Sequence, residues 1–212
     1  MADEIQRSVR RPTNRRATPF VVAYVALVVS MCGALASPAN AEPSDLPAPP
    51  LPVFNPTPSD WMPKFPPPFD ATRKDVTDAD INAEREMCQW FNAQYVQLRR
   101  QMDAFGFDLL HANNDWTVPG IQLEADAVAA NIEQSVAFLA PRAEALTQSQ
   151  DYAADNFFPI YQGESFYRLW QHLSNTGVGI RARNTAWIYG PSQQRSKHWG
   201  SRIERSGVCD DA

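Results

Sequence analysis

The stretch TDADINAEREMCQWFNAQYVQLRRQMDAFGFDLLH, residues 77–111, decides the fold. Its apolar positions fall at Ile81, Cys88, Phe91, Tyr95, Leu98, Met102, Phe105 and Leu109. After the first step of seven, the spacing alternates three and four. That is the stripe of one α-helix face packed against a neighbour. Glu84 is the one break in the stripe and is expected near the exposed start of the helix. Thr77 or Asp78 can cap the first turn, and Asp78 and Asp80 suit the positive helix end. A helix of roughly thirty residues spans about 45 Å, so it needs partners along its whole length. A seam of this period also suits a dimeric coiled coil. The flanks, however, are mostly Asn, Gln and Ala, and Trp90 widens the apolar face, which favours an intrachain bundle.

Downstream, Asn113-Asn114-Asp115 reads as a turn and Pro119 suits a helix start. Ile121, Ala125, Val128, Ile132, Val136 and Leu139 form a second stripe, and the short connection predicts an antiparallel hairpin with the first helix. Pro141 is expected to kink that helix or begin a new turn. A shorter helix is expected over 144–156, broken by Phe157-Phe158-Pro159. A third helix is predicted over 159–175, with Phe166, Leu169, Trp170 and Leu173 inward and Gly177 as its stop. Residues 179–190 are ambiguous, and a last helix is expected over 192–205. The fold class is therefore all-α: a small helical bundle built on a long antiparallel helical hairpin.

Upstream, Arg7, Arg10, Arg11, Arg15 and Arg16 precede an apolar core at 20–35, and Ala39-Asn40-Ala41 offers small residues to a signal peptidase. Residues 1–41 are expected to be a cleavable secretory signal. An uncleaved anchor is the rival reading, but the apolar run is short for a span of about 20 residues, and Ser37-Pro38 closes it. Arg15-Arg16 hints at twin-arginine export with a poor continuation, and Met31 before Cys32 does not suit a lipobox. Residues 42–75 carry Pro43, Pro47, Pro49, Pro50, Pro52, Pro56, Pro58, Pro63 and Pro66-Pro67-Pro68. Such a stretch favours extended polyproline II and is expected as a semi-rigid, solvated arm. Its Val53, Phe54, Trp61, Met62, Phe65 and Phe69 would let it lie back on the folded domain or on a partner. Residues 76–212 then form one helical domain.

With Cys32 lost in the signal, Cys88 and Cys209 remain. In an oxidising compartment an even pair is most simply a disulfide, closing the last residues onto the first helix. The whole chain carries a formal charge of −5; loss of five leader arginines against Asp3 and Glu4 leaves the mature product near −8. An acidic protein is a poor general binder of nucleic acid, so no nucleic-acid partner is expected.

The inventory of catalytic groups is thin. His111, His172 and His198 have no metal spacing, and no nucleophile elbow, P-loop or dinucleotide turn occurs. No cofactor and no metal are expected, although His111 or His172 could serve as a haem ligand. Glu84 with Glu86, or Asp151, Asp155 and Glu164, could supply the carboxylates of a glycan-degrading enzyme. Phe158, Tyr161, Phe166, Trp170 and Trp187, with Trp199 and Tyr189 nearby, could line an apolar ligand pocket or simply form the core. Between 181 and 205 the basic residues Arg181, Arg183, Arg195, Lys197, Arg202 and Arg205 face Glu204 alone. They could meet an anionic partner or neutralise the protein's own acidic helices.

An Arg-rich signal, a Pro-rich arm and a small helical domain closed by Cys88 and Cys209 together resemble exported proteins of actinobacteria, including mycobacteria. Many of these are cell-envelope families of unknown function. The resemblance is one of layout, and it implies an extracytoplasmic place without implying any catalysis. The expected function is that of a secreted or envelope-associated non-enzymatic protein acting through protein or anionic cell-wall contacts, with no stable membrane span after signal cleavage. A binding module for a lipid, haem or other apolar ligand, and a carboxylate glycan-degrading enzyme, are the alternatives.

Overall fold

A computed structural model describes residues 47–148 and 158–212. The expected signal peptide, Cys32, the first residues of the arm, Asp151, Asp155 and Phe157 lie outside the described residues. A short helix α1 (Phe69–Thr72) and a 3₁₀ turn (Arg73–Asp75) lead into α2 (Asp78–Trp90). A π-helical segment, Phe91–Tyr95, joins α2 to α3 (Val96–His111), making one continuous helix of 34 residues. Then come α4 (Pro119–Ala145), α5 (Gly163–Arg181), α6 (Thr185–Tyr189) and α7 (Pro191–Ser206). No strand occurs among the described residues, so the fold is all-α.

The long helix starts where a cap is available. Thr77 Oγ1 accepts from the Asp80 amide at 3.2 Å, and Asp80 Oδ2 accepts from the Thr77 amide at 2.8 Å, a reciprocal capping box. The apolar stripe from Cys88 to Leu109 is buried throughout, and Ile81 is half-buried. Glu84 departs from expectation: it is wholly buried. The chain beyond α4 folds over the first turns of α2. The Thr147 amide and hydroxyl donate to the Asp80 carboxylate at 2.6 and 3.0 Å, and Leu146 is buried.

Three cross-contacts set the register of α4. Asp80 meets Thr147, Glu86 meets Arg142 at 2.7 Å, and Gln101 meets Asn131 at 2.8 Å. Rising numbers on one side match falling numbers on the other, so α4 runs antiparallel to α2 and α3. It continues through Pro141 to Ala145, and residues 146–148 are not helical. α5 also outruns its expected stop. Gly177 stays within the helix, and a Cβ there would lie 2.9 Å from Ile132 of α4, so the bare glycine is what lets the two helices approach. α7 closes the bundle over the π segment. A Cβ on Gly200 would lie 2.0 Å from the Tyr95 hydroxyl, which instead donates to the Ser196 carbonyl at 3.1 Å.

The Pro-rich stretch from residue 47 lies back on this body as a strap. Leu51 and Trp61 are in the core, and Phe54 meets Phe138 edge-on at 5.0 Å. Proline removes donors but leaves carbonyls, and side-chain amides serve them. Gln101 and Asn131 both donate to the Pro49 carbonyl, at 2.8 and 2.9 Å. Gln94 and Gln134 donate to that of Pro52, at 2.6 and 2.8 Å. Gln89 exchanges two bonds with the Thr57 backbone. Asn131 also accepts from the Leu51 amide at 2.9 Å. The strap thus runs antiparallel to α2 and α3, held by amides on both members of the hairpin.

The C-terminus is tied to the same place. Cys88 and Cys209 are joined, with Cα atoms 4.9 Å apart and a sequence separation of 121. Trp61 Nε1 donates to the Val208 carbonyl at 3.0 Å, Asn92 Nδ2 to that of Cys209 at 2.9 Å, and Lys64 Nζ to that of Gly207.

Cys209→Ser should lower unfolding free energy by about 2–5 kcal/mol, the usual effect of opening so long a loop, as read from urea titration under non-reducing conditions. An unchanged midpoint would mean that the bond adds nothing to the clasp around Trp61. Asn131→Ala should cost about 1–3 kcal/mol, because it leaves buried groups of Leu51 and Gln101 without partners. Amide exchange at Leu51 should quicken in that variant, and unaltered protection there would contradict the role given to Asn131.

Candidate functional site

α5 and α7 pack side by side and leave a groove of about 710 Å³ between them. Glu164, Arg168, Gln171 and His172 line it from α5, at the i, i+4, i+7 and i+8 spacing of one helix face. From α7 come Gln194, Arg195, His198 and Trp199, with Arg202 one turn further along. Arg202 lies over the Trp199 ring, 4.9 Å from its centroid. Arg168 is engaged lightly, with Nε 3.6 Å from Glu164 and Nη1 donating to Gln171 at 3.1 Å. Nδ1 of His172 is buried and has no partner among the described residues. Burial, then the Arg195 and Arg168 guanidiniums, hold the His172 imidazole below its ordinary titration range, so the neutral ring is favoured.

The basic residues of 181–205 divide by helix face. Arg181 forks onto Glu133 of α4 with two bonds of 2.7 Å and also reaches Asp126 at 3.2 Å. The Arg181 hydrogen bonds keep the Glu133 carboxyl below its usual range. Arg183 joins Asp126 at 2.8 Å, and Lys197 pairs with Asp103 of α3. These three balance the protein's own carboxylates. Arg195 makes no ion pair among the described residues and faces the groove; Arg202 stands beside it.

The five aromatic candidates line neither the α5–α7 groove nor the smaller groove beside α6. Phe158 and Phe166 are core residues, and Tyr161 and Trp170 are half-buried against that core. Trp187 packs on Gly179, where a Cβ would lie 2.1 Å from its own. None of the five lines the α5–α7 groove, whereas Trp199 does. Tyr189 lines a smaller groove of about 310 Å³ with Phe107, Leu110 and Ile188.

The carboxylates are also dispersed. Glu86 is ion-paired with Arg142, Glu164 lines the groove, and Glu84 is sealed in the core. Neither oxygen of Glu84 has a partner among the described residues, and burial, then the nearby Asp80, push its carboxyl well above the usual range. A neutral acid there avoids a buried charge. Glu124 is raised to about 7 by burial and by Asp108, with which it shares a hydrogen bond between α4 and α3. His111 is exposed at the end of α3, its Nδ1 bonded to the Phe107 carbonyl at 2.9 Å. Among the described residues no group of three or more His, Cys, Asp or Glu is placed to hold a metal ion.

Glu84 and Glu124 bind their protons more tightly folded than unfolded. Their stabilisation is therefore complete below about pH 4.5 and is lost as pH rises, through about pH 7 for Glu124. Glu124→Gln should flatten the fall in stability across that window, and Glu84→Met should raise stability at about pH 8 relative to about pH 5. Urea midpoints at the two pH values measure both effects. Parallel profiles for variant and parent would show that neither carboxyl is held neutral.

In this groove guanidinium, imidazole and indole groups share a concave surface large enough for a small ligand. No protein-family model, curated protein or solved structure matches the chain.

Proposed function

We propose that this chain is an exported, envelope-associated binding protein without catalytic activity of its own, acting through contacts with an anionic polymer or protein of the cell envelope. The α5–α7 groove carries this reading: two guanidiniums on facing helices meet a single carboxylate, with an indole and two imidazoles beside them. Such a surface attracts anions and has the amide and aromatic groups to orient one.

Other features support the setting. The Arg-rich leader ending at Ala41 reads as an export signal, and the Cys88–Cys209 bond suits an oxidising compartment. Among the described residues no helix is long and apolar enough to cross a membrane. The ligand is not sought among the aromatic candidates, because Phe158 and Phe166 are committed to the core.

The structure changes how the proposal is best tested. Deleting the Pro-rich arm would strip Leu51 and Trp61 from the core, so it would test folding rather than binding. Point changes in the groove are cleaner, because Arg195 is exposed and Arg168 half-buried. The double variant Arg168→Gln/Arg195→Gln should keep the parent melting curve while moving from the envelope fraction to the culture medium. Retention equal to the parent's would overturn the assignment of the groove as the contact surface.

A further inference from the structure

We propose that the α5–α7 groove binds a saccharide through a tetrahedral oxyanion ester, a phosphate or sulfate group carried on the sugar. The inference rests on the reading of the groove as the contact site and names what it contacts.

The two guanidiniums favour one class of anion. Each is a rigid, planar set of donors that can fork onto two oxygens of one anion. Arg168 and Arg195 lie on different helices of the same groove. A carboxylate can serve two guanidiniums, as Asp126 does for Arg181 and Arg183, but it has only two oxygens to offer; a tetrahedral ester has further oxygens, so two forks from opposite walls need not compete for the same pair. Among the described residues Arg195 has no carboxylate to leave, and the 3.6 Å contact of Arg168 with Glu164 is half-exposed, so both can exchange partners at little cost.

His172 adds a conditional donor. Its Nδ1 is buried without a partner among the described residues, where the charged groups facing the ring are Glu164 and Arg168 on α5 and Arg195 and His198 on α7. Burial first, and then repulsion by the two guanidiniums, favour the neutral ring; an anion between the guanidiniums offsets the second of these and so makes it easier for the ring to take up a proton and donate. The rest of the lining suits a sugar. Trp199 offers an apolar ring surface, and Gln171 and Gln194 carry both donors and acceptors for hydroxyls. A nucleic acid is a poorer fit, because the rest of the surface is acidic and the net charge is −5.

The test uses the disulfide-bonded chain and four polymers: phosphomannan, dextran sulfate, polygalacturonate and neutral dextran. Binding is followed by tryptophan fluorescence at low salt. Phosphomannan or dextran sulfate should bind at least about tenfold more tightly than polygalacturonate, the equivalent of one added charged hydrogen bond. The tighter of the two names the ester as phosphate or sulfate. Arg168→Gln and Arg195→Gln should each weaken that binding about tenfold or more. Lys197→Gln, which alters the Asp103 pair instead, should leave it unchanged. Affinity should rise between about pH 7.5 and about pH 5.5, and His172→Asn should abolish the rise.

Equal or tighter binding of polygalacturonate overturns the tetrahedral class, as does binding that survives both arginine changes or an absence of binding to all four polymers. Those results leave the envelope-contact reading in place if the arginine double variant still loses retention in the cell. Unchanged retention defeats the broader reading itself.

Discussion

An apolar stripe that runs the length of a 34-residue helix has to be covered over about 50 Å, and α4, α7, the strap and the C-terminal turn each cover a portion of it. α4 covers the hairpin side and folds its last residues over the first turns of α2. α7 lies on the π segment, close enough that only glycine fits opposite the Tyr95 hydroxyl. The strap and the C-terminal turn meet near Cys88, where Trp61 and Cys209 are held together. The two ends of the described chain therefore stabilise the same helix. Loosening either one exposes core that the other was packed against.

Buried polar groups are treated in two opposite ways. The strap's carbonyls, left without neighbouring backbone donors by proline, are met by amides from Gln89, Gln94, Gln101, Asn131 and Gln134. Each amide both donates and accepts, so it can satisfy an extended chain that no strand pairs with. Among the described residues Glu84 has no such partner, and it lies where the helix stripe requires an apolar group. Its neutral form lowers the cost of that position, which makes the fold more stable in acid than in base at this site. Asp80, one turn away, shows the contrast: it is equally buried but is bonded by Thr77 and Thr147.

Helix faces also sort the charges. Arg181, Arg183 and Lys197 spend their charge on Glu133, Asp126 and Asp103, which ties α5 and the segment after it to α4, and α7 to α3. Arg195, His198, Trp199 and Arg202 recur at i, i+3, i+4 and i+7, so they share a different face of α7. That face meets the Glu164–His172 face of α5, and the groove results. One basic segment thus supplies both internal neutralisation and a surface with charge to spare.

Local spacing was enough to reveal the main helical stripes and a capping residue at Thr77 or Asp78, because helical period and capping chemistry are short-range properties, and a count of cysteines gave Cys209 as the partner of Cys88. The amide-rich flank of residues 89–101 was visible too, but the carbonyls it serves lie in a strap some forty to fifty residues away in sequence. The burial of Glu84, the continuation of α5 past Gly177 and the π segment depend on which neighbour arrives at each face, and nothing within a turn of these residues announces it. The same is true of the groove. Arg168 and His172 lie outside the basic segment read from composition, and only the packing of α5 against α7 places them opposite Arg195 and Trp199. Sequence alone determined the elements and their periodic faces; the tertiary structure decided which faces meet, because contacts between residues far apart in the chain are set by packing of the whole core.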